Sequence, residues 1–194
     1  MKNLLISVIL TGVFAVTPVR AGDISAFGGV TLDDENFTSL ALSIGFDVPK
    51  TLGLFSPSEL RADIGYLFNE QSTPLNFIDG GENTILETDF GIFTAHAGPA
   101  WRLDAFNRAS VFAGIQLGIA VIDSDSQFVG PIPPAVDVAS ELTDTRFSFQ
   151  VPVGFEYSFT RRVGVTTRYR LLGISGFGGD DLSHIVEGGI IIKF

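Results

Sequence analysis

Hydrophobic and polar residues alternate with a period of two along most of this 194-residue chain. The clearest case is residues 145–159, where one row is apolar or threonine and the other is polar, small or proline. Residues 163–171 alternate in the same way, and only Thr160, Arg161 and Arg162 separate the two segments. Because successive side chains of a strand point to opposite faces, this pattern predicts two strands joined by a tight turn, each with one apolar face.

Six further strands are predicted from the same, less regular alternation. They span residues 23–32, 37–48, 58–69, 85–103, 109–122 and 184–194. The eight strands make four hairpins, so the fold class that we predict is all-β, an eight-stranded antiparallel up-and-down transmembrane β-barrel. Pro99 and Pro152 cannot donate to a β-ladder, and we expect a bulge at each. The alternation breaks near Gly98 and Pro99, which leaves the faces of His96 and Trp101 open.

Alternation alone does not say which row faces the inside of the barrel. A barrel of about eight strands encloses room only for side chains. The apolar rows are rich in bulky Phe, Ile, Leu and Val, whereas the opposite rows are rich in Gly, Ser and Ala with a few charges. The second set fits a narrow interior, so we expect the apolar rows to face lipid. The alternative is the inverse arrangement of a small soluble barrel.

The first residues of the chain have the pattern of a secretory signal peptide. Lys2 precedes an apolar run over residues 4–16, and Val19-Arg20-Ala21 offers a small-residue cleavage site. A retained membrane helix is the alternative, but it needs about 20 apolar residues and this run is shorter. We therefore expect residues 1–21 to be a signal peptide and residues 22–194 to be the barrel.

Composition and charge exclude several classes of function. Removing residues 1–21 takes away Lys2 and Arg20, so the 12 basic residues fall to 10 against 22 acidic ones, and 10 minus 22 gives a net charge of −12. Such a balance argues against nucleic-acid partners. The chain has no cysteine, which excludes disulfides, thiol nucleophiles and thiolate metal sites. No cofactor is expected.

The links between the predicted strands alternate between short and long. The links near 49–57, 104–108 and 160–162 are short, and those near 33–36, 70–84, 123–144 and 173–183 include much longer ones. Outer-membrane barrels place short turns in the periplasm and long loops outside. The four proposed outer loops contain no Lys or Arg, and their acidic residues are Asp33, Asp34, Glu35, Glu70, Asp79, Glu82, Asp123, Asp125, Asp137, Glu141, Asp144, Asp180 and Asp181. Basic residues gather at the opposite ends, at Lys50, Arg108, Arg161, Arg162 and Lys193.

The mature chain resembles the small eight-stranded outer-membrane proteins of the OmpA, OmpX, Ail and opacity-antigen type. The signal peptide, the hairpin from Phe155-Glu156-Tyr157-Ser158-Phe159 to Arg168-Tyr169-Arg170, and a terminal signature at Glu187, Gly189, Ile192 and Phe194 carry the resemblance. It implies a bacterial outer-membrane location, with outer-membrane lipid, lipopolysaccharide and the barrel assembly machinery as partners. It also implies that the terminal signature is an assembly signal. Relatives of this kind are surface antigens, adhesins, envelope stabilisers or small pores.

Several charged residues lie on the rows that we expect to face the lumen. They are Arg61, Asp63, Arg146, Glu156, Arg168, Arg170 and Glu187, with Gln150 among them. Pairing Phe159 with Val163 across the tight turn places Glu156 one diagonal step from Arg168 on the same face. Unpaired charges in a narrow interior are costly, so we expect a salt-linked plug. The alternative is that these pairs gate a small pore.

The candidates for catalysis are few. A lipid A deacylase of this barrel size needs a His with a Ser two residues later, and neither His96 nor His184 has one. Ser183 precedes His184, but adjacent residues of a strand point to opposite faces. We therefore expect no enzyme activity, and lipid A modification is the weaker alternative.

Two acidic clusters and one apolar segment remain. Residues 33–35 and 179–181 lack the spacing of an ordered Ca²⁺ loop, so we interpret them as solvated loops, with lipopolysaccharide contact through bridging Mg²⁺ or Ca²⁺ as the alternative. Residues 128–136 are rich in proline and apolar side chains, which suits either partner binding or packing over the barrel mouth. The function that we expect is non-enzymatic, structural or surface interaction through acidic extracellular loops.

Overall fold

The computed structural model describes residues 22–32, 37–48, 57–75, 84–106, 108–129, 140–176 and 182–194. These residues form nine strand segments: β1 (Gly22–Thr31), β2 (Thr38–Asp47), β3 (Glu59–Leu75), β4 (Thr84–Phe106), β5 (Ala109–Gly114), β6 (Gln116–Val129), β7 (Ser140–Ser158), β8 (Val163–Ile174) and β9 (Leu182–Lys193). In these ranges no helix is long and apolar enough to cross a membrane. The predicted signal peptide at 1–21 lies outside the described residues.

The strands form one closed antiparallel sheet. Neighbouring segments pair along the chain, except that β5 and β6 each pair with β4 and β7 and not with one another, and β1 pairs with β9 from Asp23↔Lys193 to Thr31↔Ile185. Segments β5 and β6 share one position between β4 and β7, so the ring has eight strand positions. Two backbone hydrogen bonds of 2.9 and 3.0 Å join Gly22 to Phe194 at the end of the seam. This confirms the predicted eight-stranded up-and-down barrel.

The predicted bulges at the two prolines are wrong. The register of β4 against β5 and β6 is continuous past Pro99, and Pro152 pairs with Arg170 without a shift. The irregularity of β4 against β5 lies instead between Asp104 and Phe106. A proline removes one donor from the ladder without inserting a residue, so the pairing register persists. The predicted strand over 109–122 is interrupted at Ile115, whose N–H still donates to the Pro99 carbonyl over 3.1 Å.

The barrel has two unlike ends. The turn end carries both termini of the sheet and the β7–β8 turn at 159–162. The loop end carries the connections from β1 to β2, β3 to β4, β6 to β7 and β8 to β9. Among the residues that the sequence predicts as links at this end, four polar stretches belong to strands: 70–75, 84, 123–129 and 140–144. Both of their rows are largely polar, so they lack the apolar face on which the strand predictions rest.

The outer rows of the barrel are apolar, and the inner rows carry the polar and charged side chains. Large apolar side chains on the outer rows are about half exposed, for example Leu40 (54%), Phe147 (54%) and Ile190 (58%). Charged and hydroxyl side chains on the inner rows are almost fully buried, for example Arg61 (0%) and Glu187 (1%). This is the transmembrane arrangement that the sequence favours over its soluble inverse.

Candidate functional site in the barrel lumen

Six charged side chains meet inside the turn end of the barrel. We call them the turn-end charge cluster: Asp23, Glu59, Arg61, Arg102, Glu156 and Lys193. Arg61 Nη2 lies 3.2 Å from Asp23 Oδ1 and 2.9 Å from Glu59 Oε2. Arg102 lies 2.6 Å from Asp23, 2.7 Å from Glu59 and 2.9 Å from Glu156. The members come from β1, β3, β4, β7 and β9, so the cluster ties opposite walls of the barrel together.

A second cluster lies next to the first, toward the loop end. This central charge cluster consists of Asp63, Arg168, Arg170 and Glu187. Arg168 Nη1 donates to Asp63 Oδ2 over 3.0 Å, and its Nε donates to Glu187. Arg170 Nη2 donates to the other oxygen of Glu187 over 2.8 Å. Gln150 joins the cluster by donating to Asp63 over 2.8 Å and accepting from Arg170 over 3.1 Å.

Aromatic rings support two of the guanidinium groups. The Arg168 guanidinium carbon lies 3.8 Å from the centre of the Phe27 ring, and that of Arg61 lies 4.7 Å from the Phe112 ring. Both rings point into the lumen and are buried. Each ring presents the negative face of its quadrupole to a cation that has little access to water.

Apolar side chains fill the lumen on the loop side of the central cluster. We call this set the apolar layer: Phe37, Leu67, Ile92, Ala120, Ile122, Leu172, Ile174 and Ile185, all between 0 and 7% exposed, with Phe90 packed against them. Leu172 lies two residues beyond Arg170 on the inner row of β8, and Ile185 lies two residues before Glu187 on β9. The lumen is therefore layered, with two charge clusters followed by an apolar layer.

Each charge cluster is balanced within itself. The turn-end cluster has three carboxylates against three cations, and the central cluster has two against two. A buried charge without a partner costs roughly several kcal/mol, so opposite charges in direct contact are what a narrow lumen requires. Each cation of the two clusters has a carboxylate partner within its own cluster.

Comparisons with known proteins show which solved structures share this fold. No protein-family model matches the sequence, and no curated protein matches it significantly. Solved structures do match. Ail, the attachment invasion locus protein of Yersinia pestis, is 11% identical with a TM-score of 0.51, over 90% of this chain and 97% of that chain. A major outer membrane protein from Thermus thermophilus is 9% identical with a TM-score of 0.51, over 90% and 100%. Neisserial surface protein A is 14% identical with a TM-score of 0.50, over 90% and 96%.

The chain has the fold of a small outer-membrane β-barrel. The predicted lumen residues of this barrel occupy three places. Arg61 and Glu156 belong to the turn-end cluster, and Asp63, Arg168, Arg170 and Glu187 form the central cluster. Arg146 belongs to neither. Its Nε donates to Asp144 over 2.7 Å, and its Nη1 donates to the carbonyls of Ser175 and Gly176 at the loop end.

The diagonal pair that the sequence predicts between Glu156 and Arg168 is wrong. The register is as expected, with Gly154 opposite Arg168, yet the two side chains bind different partners. Glu156 contacts Arg102 at 2.9 Å and Arg61 at 3.6 Å, from strands two and three positions away around the ring. In a narrow barrel long side chains reach past the adjacent strand, so pairing within one hairpin does not decide the contacts.

Sequence reasoning misses four members of the turn-end cluster. Glu59 precedes Arg61 by two residues on the same row, and Asp23 precedes Ser25 in the same way, so the period of two could have identified both. Lys193 likewise shares the row of Ile191. Arg102 could not have been placed, because its row is readable only once the pairing continues past Gly98 and Pro99.

Both histidines hydrogen-bond to hydroxyl groups. His96 faces the lumen, where its Nε2 lies 2.8 Å from Ser148 Oγ and where Asp63 is its direct cross-strand neighbour. His184 lies on the outer face, and its Nδ1 bonds to the Tyr169 hydroxyl. An imidazole beside a hydroxyl is the arrangement of a base and a nucleophile, so the accessibility of each pair decides what it can do.

The four residues of the terminal signature are divided between the two faces of β9. Glu187 points into the lumen and Gly189 lies on the same row, whereas Ile192 (53%) and Phe194 (52%) are exposed on the outside. Their role as an assembly signal stays a prediction.

Two sets of loop residues lie outside the described residues. The first contains Asp33, Asp34, Glu35, Asp79, Glu82, Asp137, Asp180 and Asp181. The second is 130–136, most of the apolar segment, whose first two residues belong to β6.

Proposed function

We propose that the protein is a non-enzymatic surface protein of the bacterial outer membrane, in which a sealed barrel anchors a loop end that contacts other surfaces. In this proposal outer-membrane lipid and lipopolysaccharide surround the outer rows, and the turn end faces the periplasm. The observation that carries it is a sheet that continues beyond the barrel mouth while the lumen below is filled by side chains.

This projecting sheet consists of residues 69–75, 84–91, 123–129 and 140–147. Pairing between β2 and β3 ends at Thr38↔Phe68, but β3 and β4 stay paired to Leu75↔Thr84. On the other side, pairing between β7 and β8 ends at Ser148↔Ile174, while β6 and β7 stay paired to Ser126↔Ser140. Seven residues of strand span roughly 24 Å, so the sheet supports contacts well away from the barrel mouth.

The two side edges of the projecting sheet favour contact with a partner. No described strand pairs with the outer side of residues 70–75 or of residues 140–146. A free edge presents backbone N–H and C=O groups that can pair with another chain. Residues 175–176 contact the base of the second edge, where the Ser175 N–H donates to the Phe147 carbonyl over 3.0 Å and Arg146 donates to the Ser175 carbonyl.

The negative charge of the projecting sheet favours positively charged partners. Glu70, Asp89, Asp123 and Asp125 lie on its outer face, and Glu70 and Asp125 are both direct cross-strand neighbours of Asp89. Like charges in opposed positions repel one another and attract cations. The crystal structure of Ail includes the heparin analogue sucrose octasulfate. Carboxylates would repel such a sulfated ligand, so for this chain we favour a basic polypeptide partner.

The accessibility of the histidine pairs supports a non-enzymatic role. His96, Ser148 and Asp63 are 4%, 0% and 2% exposed, and they lie between the apolar layer and the turn-end cluster. A substrate would have to displace one of these layers to reach them. The outer pair of His184 and Tyr169 has a phenol in place of a serine nucleophile.

In planar lipid bilayers the purified protein should give no stepwise ion conductance, because two balanced charge clusters and an apolar layer fill the lumen. Single-channel recording measures this, with a large water-filled porin in the same bilayer as the positive control. Reproducible conductance steps that scale with protein concentration would replace the sealed anchor by the gated-pore alternative.

Shortening the projecting sheet should abolish surface binding and spare the barrel. Asn-Gly replaces residues 71–88 in one hairpin and residues 126–140 in the other, which joins the paired positions Glu70↔Asp89 and Asp125↔Glu141 through two-residue turns. With the proteins in phosphatidylcholine nanodiscs, we expect the intact protein to bind an immobilised lysine-rich histone at least tenfold more tightly than the shortened one, and not to bind heparin.

A charge variant separates the two contributions to this binding. Glu70→Gln/Asp89→Asn/Asp125→Asn keeps the strand edges and removes three carboxylates, and we expect it to bind the histone severalfold more weakly than the intact protein. Heat-modifiable mobility in SDS gels checks that each barrel is folded. Equal binding by the shortened protein, or stronger binding to heparin than to histone, would contradict the proposal.

A further inference from the structure

The turn end of the barrel carries a surface that is opposite in charge to the loop end. We call it the cationic rim: Arg108 between β4 and β5, Arg161 and Arg162 in the β7–β8 turn, and Lys193 at the end of β9. The three arginines are exposed, and the Lys193 side chain is 29% exposed. The exposed carboxylates of Asp47 and Asp104 lie at the same end.

One cavity of the rim has the lining of an anion site. It has a volume of about 550 Å³ and is lined by Arg108, Ser158, Phe159, Thr160, Arg161 and Lys193. Three cations and two hydroxyl groups line it, without a carboxylate among these residues. A neighbouring cavity of about 700 Å³ continues the rim past Arg162 to Phe194, with Asp47 on its far side.

The backbone holds the rim side chains in fixed relative positions. Thr160 Oγ1 accepts hydrogen bonds from the N–H groups of Arg162 (3.2 Å) and Val163 (3.0 Å). The Lys193 N–H donates to the Arg162 carbonyl over 2.8 Å, and Lys193 Nζ donates to Ser158 Oγ over 3.1 Å. The turn and the end of β9 therefore present their cations as one unit.

The cations of the rim have free capacity for an anion. Lys193 is 3.6 Å from Glu156, which is already bound to Arg102. Within the described ranges, no carboxylate forms an ion pair with Arg108, Arg161 or Arg162. Solvent or a ligand must supply the counter-charge of these three arginines.

Exposed aromatic side chains indicate the depth of the rim relative to a membrane. Phe159 (52%) and Phe194 (52%) are exposed beside the rim cations, and Tyr157 packs edge-on against Phe159 with the ring centres 5.6 Å apart. Phe106 is 81% exposed next to Arg108. Aromatic girdles of outer-membrane barrels lie at the membrane interface, so the rim lies at the depth of the lipid headgroups.

We propose that the cationic rim binds the headgroup phosphates of anionic phospholipids in the leaflet that the turn end contacts. The guanidinium groups donate to phosphate oxygens, the hydroxyls of Ser158 and Thr160 line the same cavity, and Phe159 packs against the acyl chains. Each surface cation of this kind strengthens binding to an anionic membrane by about fivefold. The proposal rests on the membrane barrel fold and is independent of the contacts made by the loop end.

Titration with a short-chain lipid tests the proposal. Folded protein in nonionic detergent is titrated with dihexanoyl phosphatidylglycerol, dihexanoyl phosphatidylcholine or inorganic phosphate, and bound lipid is counted by native mass spectrometry. We expect phosphatidylglycerol to bind at least tenfold more tightly than either of the others. Arg108→Gln/Arg161→Gln/Arg162→Gln should lose at least tenfold of that affinity.

Three further variants separate the effect of the rim charge from effects on folding and on net charge. Replacing the same three arginines by lysine keeps the charge and should hold the affinity within about threefold. Arg146→Gln removes a cation at the loop end and should leave phosphatidylglycerol binding unchanged, whereas Arg161→Gln should weaken it by about fivefold. Undiminished binding by the triple glutamine variant, or inorganic phosphate binding as tightly as the lipid, would overturn the proposal.

Discussion

Replacing Arg168 with methionine should lower the free energy of unfolding of the barrel by about 3–5 kcal/mol. The Arg168 side chain is fully buried, donates to both Asp63 and Glu187, and lies over the Phe27 ring. Methionine keeps much of the volume but removes the charge, so two buried carboxylates then share Arg170 as their one cation in the cluster. Urea titration of the protein in lipid vesicles measures the effect through the fluorescence of Trp101, the single tryptophan.

A second substitution tests whether the loss of charge balance causes the loss of stability in Arg168→Met. Adding Glu187→Gln to Arg168→Met leaves one carboxylate and one arginine in the cluster, and we expect it to recover a large part of the loss. Asp104→Asn removes an exposed charge at the turn end and should change stability by less than about 0.5 kcal/mol. A loss below about 1 kcal/mol for Arg168→Met would mean that the central charge cluster does not stabilise the barrel.

Gly189→Ala should open the seam between the first and last strands, whereas Gly188→Ala should not. A Cβ on Gly189 would lie 2.0 Å from the backbone oxygen of Ala26 and 3.0 Å from the Phe27 ring, so the β1 backbone must move. A Cβ on Gly188 meets nothing within 4 Å. Overpacking that displaces side chains and backbone costs about 1–3 kcal/mol, so Gly189→Ala should lower the free energy of unfolding by at least about 1 kcal/mol.

The adjacent glycine is a matched control for this prediction. Gly188→Ala makes the same chemical change one residue away and should be neutral or stabilise the barrel by up to about 1 kcal/mol, because alanine loses less conformational entropy. Urea titration and heat-modifiable mobility in SDS gels compare the two variants. Equal stability of Gly189→Ala and Gly188→Ala would show that close approach at the seam does not limit closure of the barrel.

The fold could be predicted because one short-range rule covers nearly the whole chain. In residues 145–159 and 163–171 the face of each residue follows from whether its position is odd or even. The three residues between the two segments leave room only for a tight turn. The rule fails where both faces are polar. Residues 70–75 and 123–129 are strand, yet their composition is that of a loop, and only pairing with a neighbour reveals them.

The lumen was harder to predict than the fold. The alternation along each strand places six charged residues on inner rows, and the structure has them there: Arg61, Asp63, Glu156, Arg168, Arg170 and Glu187. The alternation does not give their partners. Glu156 binds Arg102 from β4, a strand that is separated from the Glu156 segment by β5 and β6 in sequence. The apolar layer was not predicted either. Leu67, Leu172 and Ile185 are single apolar residues in otherwise polar rows, and only the structure shows that they pack together.

The sequence by itself determined a closed barrel with apolar outer rows, since strand periodicity is a local property and, of the two alternating rows, only the one with the smaller side chains fits throughout the inside of eight strands. Only the tertiary structure decided which charges meet and how the lumen is layered. The physical reason is that lumen contacts cross the barrel axis: they depend on the stagger of all eight strands at once, and no alternation within one strand or one hairpin contains that information.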